Sequence, residues 1–432
     1  MRGIHLAVVM LLALSPTAIR ADSANDPTSQ DEQILRAAHV ATDDVSLLDV
    51  FRKRLLSPTE RRQVEELIRR LNDDDYSVRE EASADLVEFG SAAVPLLRKA
   101  LKGTPLEVSR RAKKCIQRIN PPSVEVLSAA ARLLGARHPK GALDTLLNYL
   151  PVADDDELAS EIRASITALA FKAGEPRPAL VQALRDPRPV VRGAAVDALC
   201  QGGGRRSLPL VRPLLTDRDA DVRLRVAHHL AGFREADAIP ALIALTTSKG
   251  ATAEQADAYL RDLAETEAPA DTPGTTEASR RACRDAWQRW WQAADGSALL
   301  DRIRAGTPDE TARQRASELI GELGDDDFVT RERATDDLVT MGAVAVPLLQ
   351  KAAADSKDCE VAHRAASCLT RIAQGSHPAI TATTMRLVAF RKPPGAASVL
   401  LAYLPFANGS DSQEEVQKAL TAVAYPGGAP DP

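Results

Sequence analysis

The stretch PALVQALRDPRPVVRGAAVDAL (residues 178–199) returns as PLVRPLLTDRDADVRLRVAHHL (residues 209–230), and the comparison of the two lines decides the fold. Pro178, Pro209 and Pro240 stand 31 residues apart, and each opens a short apolar run. Proline suits the first turn of a helix, where its missing N–H would have had no partner. Asp186 and Asp217 follow the first two prolines, and Val191-Arg192 and Val222-Arg223 lie a few residues further on. An aspartate ahead of a helical run can accept its free N–H groups, so Asp186 and Asp217 are expected to mark the turn into a second helix. That helix shows a buried stripe at three-and-four spacing through Ala194, Ala195 and Leu199, and through Val226, Ala227 and Leu230. Gly203 and Gly232 then mark its end. Each unit reads as an antiparallel helix pair.

The same grammar appears at Val78-Arg79, Ala82, Leu86, Gly90 and Pro95, and again at Thr330-Arg331, Ala334, Leu338, Gly342 and Pro347. A turn aspartate followed by Val-Arg-x-x-Ala, at a period near 31, resembles the short bacterial HEAT-like repeat grouped with phycobilisome lyases. The resemblance is clear over 178–261, good over 71–119 and 323–372, and weaker between them. It implies an all-α fold, an α-solenoid of antiparallel helix pairs. It leaves function open, because that repeat serves scaffolds, adaptors and a few enzymes.

A longer period contains the short one. Asp73-Asp74-Asp75-Tyr76 returns as Asp325-Asp326-Asp327-Phe328, Val94-Pro95-Leu96-Leu97 as Val346-Pro347-Leu348-Leu349, and Tyr149-Leu150-Pro151 as Tyr403-Leu404-Pro405. The offset drifts only from 252 to 254, which identifies an internal duplication. The expected organisation is a signal peptide at 1–21, a linker at 22–30, a first HEAT-like array at 31–294 and a second, partial array at 295–432. A surface loop rich in Pro, Thr and acid is expected over 265–279. The second copy stops opposite Pro178, so the array could also be the helper part of a larger protein.

At 432 residues the chain exceeds what one core usually supports, and only 3% of it is aromatic, as expected of helices packed through small side chains. Arg2, the apolar run at 6–14 and the small residues ending at Ala21 form an export signal too short for a permanent span. The mature protein is therefore expected to be exported, periplasmic or secreted from a bacterial envelope, with no stable membrane span after cleavage. Cleavage removes Arg2 and Arg20 and takes the formal net charge from −5 to −7, which disfavours a nucleic-acid partner. The five cysteines, Cys115, Cys200, Cys283, Cys359 and Cys368, are odd in number and lack framework spacing, so they read as small buried hydrophobes.

The three tryptophans, Trp287, Trp290 and Trp291, share one helix face. They are the candidate partner-binding residues, as a hot spot, or else a core anchor between the two copies. His228 and His229 point about 100° apart on a helix and lack an acidic companion, so no metal site is expected there. Dinuclear-iron hydroxylases built on similar repeats use His-Glu pairs, and this chain has none. The triplets Asp73–75, Asp154–156 and Asp325–327 lack calcium-loop spacing and read as helix caps. No catalytic, nucleotide or dinucleotide motif is present, and no cofactor is expected. The expectation is a non-catalytic, extracytoplasmic scaffold for protein–protein interaction; the alternative is a small-molecule-binding or lyase-type enzyme using the solenoid groove. Arg79, Arg192, Arg223 and Arg331 are expected to bridge turn aspartates of adjacent repeats.

Overall fold

The computed structural model describes residues 27–102, 104–374, 380–407 and 410–424. They are helical almost throughout, and the strands among them are the two-residue pieces Phe171–Lys172 and Glu175–Pro176. The all-α solenoid class expected from the helix-pair grammar is the one observed. The export signal at 1–21 lies outside the described residues. Of the linker expected at 22–30, residues 27–30 are helical and 22–26 lie outside the described residues.

Packing divides the chain into two units that meet in sequence at Lys172 and Ala173. This boundary falls inside the array expected at 31–294, while the duplication boundary at 294/295 falls inside the second unit. The reason is physical: helices in such a fold pack on near neighbours, so similarity and packing need not break at the same residue.

The first unit has two cores. Helices Pro58–Arg70, Tyr76–Glu88, Val94–Lys99 and Leu106–Ile119 close around Leu67, Leu71, Leu86, Leu97, Ala112 and Cys115. Helices Pro27–Ala37 and Asp44–Arg52 instead pack on Val124–Arg137, and Asp44–Arg52 also on Ala142–Tyr149. Phe51 meets Tyr149 there edge to face at 4.9 Å. Arg132 on Val124–Arg137 holds Asp31 at 2.6 Å, and Arg137 holds Glu32 at 2.5 Å and the carbonyl of Thr42.

The second unit begins with Pro178–Ala183, Pro189–Gly203, Leu208–Val211, Ala220–Gly232, Ala238–Leu245, Ala251–Ala264 and Glu277–Ala293. Pro178 opens its helix, and Pro209 and Pro240 sit one and two residues inside theirs. Gly203 and Gly232 end helices as expected. From Gly296–Ala305 to Ser410–Ala424 the unit then repeats, helix for helix and with the 3-10 turns in the same slots, the order running from Asp44–Arg52 to Asp156–Leu169. Asp43 and Asp295 cap the opening helices of the two runs. The core around Leu319, Leu323, Leu338, Leu349, Ala365 and Cys368 matches that of the first unit residue for residue. Gly141 and Gly395 both take positive φ, 87° and 79°, at the same turn, a conformation open to glycine at no steric cost. The second array, partial against 31–294, is thus a full counterpart of 43–169.

The recurring arginines clasp their turns in a way the sequence only half conveys. The Arg79 guanidinium donates to the carbonyls of Asp73 and Asp74, and Arg331 does the same to Asp325 and Asp326. Arg223 donates to the carbonyl of Asp217. These three secure their own turns and reach no aspartate carboxylate of a neighbouring repeat. Arg192 does both: it bonds the carbonyls of Asp186 and Pro187 and makes a two-pronged pair with the Asp217 carboxylate at 2.6 and 2.8 Å. Nor are Asp186 and Asp217 the caps. Asp186 accepts the N–H of Arg188, Asp217 accepts that of Asp219, and Asp219 caps Ala220–Gly232. The aspartates shape the turn two residues before the helix, as an Asx turn does.

The Arg192 and Asp217 side chains are only 5% and 10% exposed, so removing one leaves a buried charge. Arg192→Leu is expected to cost about 3 kcal/mol at pH 7. Burial pushes the Asp217 carboxyl up, but Arg192 and the Asp219 N–H outweigh it and hold it below the usual carboxylate value. The unfolded chain therefore binds the proton more readily, so the contribution is full above about pH 4 and fades as pH falls through the lowered folded value. Urea unfolding of both proteins from pH 7 downward checks this: the gap should narrow in acid, and a gap constant with pH contradicts it.

Candidate interaction surface

Two of the three tryptophans are interior. Trp287 is fully buried and Trp291 nearly so, while Trp290 is half-buried and meets Trp287 edge to face at 5.2 Å. The exposed hot spot expected of Trp287, Trp290 and Trp291 is therefore not what the fold presents, because helical spacing turned the stripe inward. The Trp287 indole N–H donates to Asp257 at 2.7 Å, and Asp257 also takes Arg261 at 2.7 Å and the Cys283 thiol at 3.5 Å. Arg261 continues to the carbonyl of Pro269 at 2.9 Å, tying the loop between helices to the same knot. That loop is shorter than 265–279, with a 3-10 turn at Glu265–Glu267 and the next helix starting at Glu277.

Trp291 carries the Arg391 guanidinium 3.5 Å from its ring centroid. Arg391 also donates to the carbonyls of Trp291 and Ala294, the last acceptors of the Glu277–Ala293 helix. Burial lowers the Arg391 pKa. Arg386 pairs with Glu265 at 2.6 Å and Glu415 at 3.4 Å. Arg386 and Arg391 occupy the positions of Arg132 and Arg137 in the first copy, so the same two arginines hold the preceding segment in both units. Sequence reasoning missed all four, although their recurrence at offset 254 was the available signal.

The remaining candidates are structural. His229 pairs with Asp197 at 2.9 Å, whereas His228 faces Tyr259 at 5.4 Å and burial lowers its pKa. Asp75, Asp155 and Asp327 each cap a helix. Cys115, Cys200, Cys283 and Cys368 are buried and Cys359 is exposed. Burial pushes the Cys200 and Cys283 thiols up to about 12, far from the thiolate form that nucleophilic chemistry needs. Among the described residues no cluster of three His, Cys, Asp or Glu could hold a metal ion, and no helix is long and apolar enough to cross a membrane.

Among the described residues the fold leaves two aromatics largely in water, beside aliphatics such as Val45, Leu106, Val329 and Leu401. Tyr76 is 64% exposed and Phe328 60%, at the same position of the two copies. Arg79 lies over Tyr76 at 5.7 Å and Arg331 over Phe328 at 5.8 Å, so the turn clasp also fixes the ring. Behind them Arg111 bridges Glu80 and Glu107, and Arg364 bridges Glu332 and Glu360. Hydrogen bonding to Arg111 holds both the Glu80 and Glu107 carboxyls below their ordinary value. The product is an aromatic ring on a rigid turn, flanked by fixed charge, presented twice.

One comparison with known proteins bears on the repeat. Residues 177–261 match the family described as HEAT repeats. The matched segment is the stretch of 31-residue period, and HEAT repeats are what the helix-pair grammar led one to expect there. Two crystal structures described as engineered proteins of the Northeast Structural Genomics Consortium are similar at 20% and 19% identity. The matches cover 92% and 85% of this chain and 99% and 98% of theirs, and TM-scores of 0.19 and 0.13 leave them without bearing on the details of this fold. No curated protein matches the chain.

The contrast between interior and surface aromatics is measurable. Asp257→Ala is expected to cost about 3 kcal/mol, since it strands Arg261 and the Trp287 N–H, and to shift tryptophan emission to the red. Tyr76→Ala should change stability by less than about 0.5 kcal/mol. Thermal unfolding with fluorescence detection reads both, and equal costs contradict the assignment.

Proposed function

We propose that this protein is a non-catalytic HEAT-repeat scaffold that docks other proteins through the paired turns carrying Tyr76 and Phe328. The observation that carries the reading is the duplicated exposed ring. A folded chain gains nothing for its own core by leaving a large aromatic in water at one position of both copies, whereas exposed aromatics beside arginine are what interfaces use. An extracytoplasmic location is part of the proposal, supported by the charged start, apolar run and small-residue end of residues 1–21.

The test compares the full chain with a Tyr76→Ser, Phe328→Ser double variant of equal thermal stability. Both are expressed with residues 1–21 present, captured from the bacterial envelope and analysed by mass spectrometry. The reading predicts a chain starting at Asp22 and a defined protein retained by the wild type and lost by the double variant. Identical co-purifying sets contradict the docking site, and an uncleaved cytoplasmic chain contradicts export.

A further inference from the structure

The two copies share a core but differ at one groove, and the difference points to a ligand. In the second copy Arg315, on helix Glu310–Glu322, reaches Asp337 at 3.3 Å and Glu318 at 3.6 Å. Arg333 approaches the same Asp337 carboxylate at 4.0 Å. The helices pair in identical register in the first copy, where Asp85 stands for Asp337 and Glu66 for Glu318. Gln63 replaces Arg315 and Glu81 replaces Arg333, so both cations that served the carboxylate are gone. Glu81 is itself drawn away to Arg70 at 2.7 Å.

The space is open. Between helices Pro58–Arg70 and Tyr76–Glu88 lies a groove with Leu67 and Phe89 beneath and Gln63, Glu66, Asp85 and Glu88 along its sides. Arg62, which stands where the second copy has Gln314, also lines the groove and donates to the carbonyl of Pro58 at 3.2 Å; it is the one cation of a lining that carries the three carboxylates of Glu66, Asp85 and Glu88, of which Glu66 is shared with Arg69. Among the described residues no ion pair reaches Asp85 or Glu88. A planar guanidinium fits such a site better than an ammonium, since its edge can donate two parallel N–H bonds to a carboxylate while its face covers Phe89.

We propose that this groove receives an arginine side chain, flanked by apolar residues, from a partner protein, which pairs with Asp85 as Arg315 pairs with Asp337 in the second copy. The proposal rests on the scaffold reading and adds the partner's chemistry: a basic, apolar-flanked segment complementary to an acidic groove. The groove stands at the opposite end of its helix from Tyr76, about 13 Å along the axis, so the two contacts can fail separately.

The experiment titrates a fluorescein-labelled peptide, Ala-Leu-Arg-Leu-Ala with blocked ends, into the intact protein and follows fluorescence polarisation at low salt. The proposal expects saturable binding that falls with added salt and with arginine replaced by citrulline in the peptide. Binding should weaken at least about tenfold in Gln63→Arg, which seats an internal arginine, and in Asp85→Asn. Asp337→Asn in the second copy should leave it unchanged, and Gln63→Arg should melt no lower than the wild type, so lost binding is not lost fold. Equal binding by the citrulline peptide or by Gln63→Arg, or no saturation up to millimolar peptide, overturns the proposal. Concentration-dependent self-association abolished by Gln63→Arg would overturn it too, by assigning the groove to a second copy of this chain. The Tyr76 and Phe328 capture result is independent of each of these outcomes.

Discussion

An arginine one turn into a helix, reaching back to the carbonyls of the loop before it, is the constraint on which the rest of this structure depends. A helix pair can bury its apolar stripe only if the turn holds the two axes at one angle, and a turn of aspartates and small residues would not do so unaided. Arg79, Arg192, Arg223 and Arg331 supply that hold through the fixed fork of the guanidinium. With the turn set, Leu, Val and Ala suffice to fill the core, which is why so few aromatic residues are needed. Arg192 adds the Asp217 carboxylate of the following turn at 2.6 and 2.8 Å, whereas Arg331 comes only to 3.9 Å from Glu360, so the tie between successive repeats is strongest at Arg192.

The clasp links fold to surface. Because Arg79 and Arg331 are immobilised by carbonyls, the rings of Tyr76 and Phe328 that lie against them are presented in a set orientation, at little entropic cost to a partner. The two copies keep this device and their cores while diverging at surface charges. Gln63 against Arg315 and Glu81 against Arg333 leave Asp85 without the ion pairs that Asp337 has, with no change in the helices that carry them.

Much of this was legible in the sequence, and the failures have identifiable causes. Periodicity located the helix pairs, because proline, glycine and a three-and-four stripe each leave a local signature. Asp186 and Asp217 do mark the turns, but they bond forward within them and cap neither helix: Asp219 caps Ala220–Gly232, and Pro189–Gly203 starts at Arg188 without a side-chain cap. The tryptophans could not be placed, because helical spacing shows that three rings share a face but not which way the face looks. It took Asp257, 30 residues from Trp287, to show that the face is interior. The groove at Asp85 was invisible for the same reason: its meaning lies in which side chains meet across two helices, and it is the second copy that shows the equivalent carboxylate paired.

Hydrogen exchange on the intact protein tests the clasp directly, with Arg79→Lys, Arg223→Lys and Arg331→Lys made one at a time. Lysine keeps the charge but loses the fork. The account predicts faster exchange confined to the altered turn and the first turn of its following helix, with the matching turn of the other copy unchanged. Unaltered exchange at the substituted turn, or acceleration spread evenly along the chain, would contradict it.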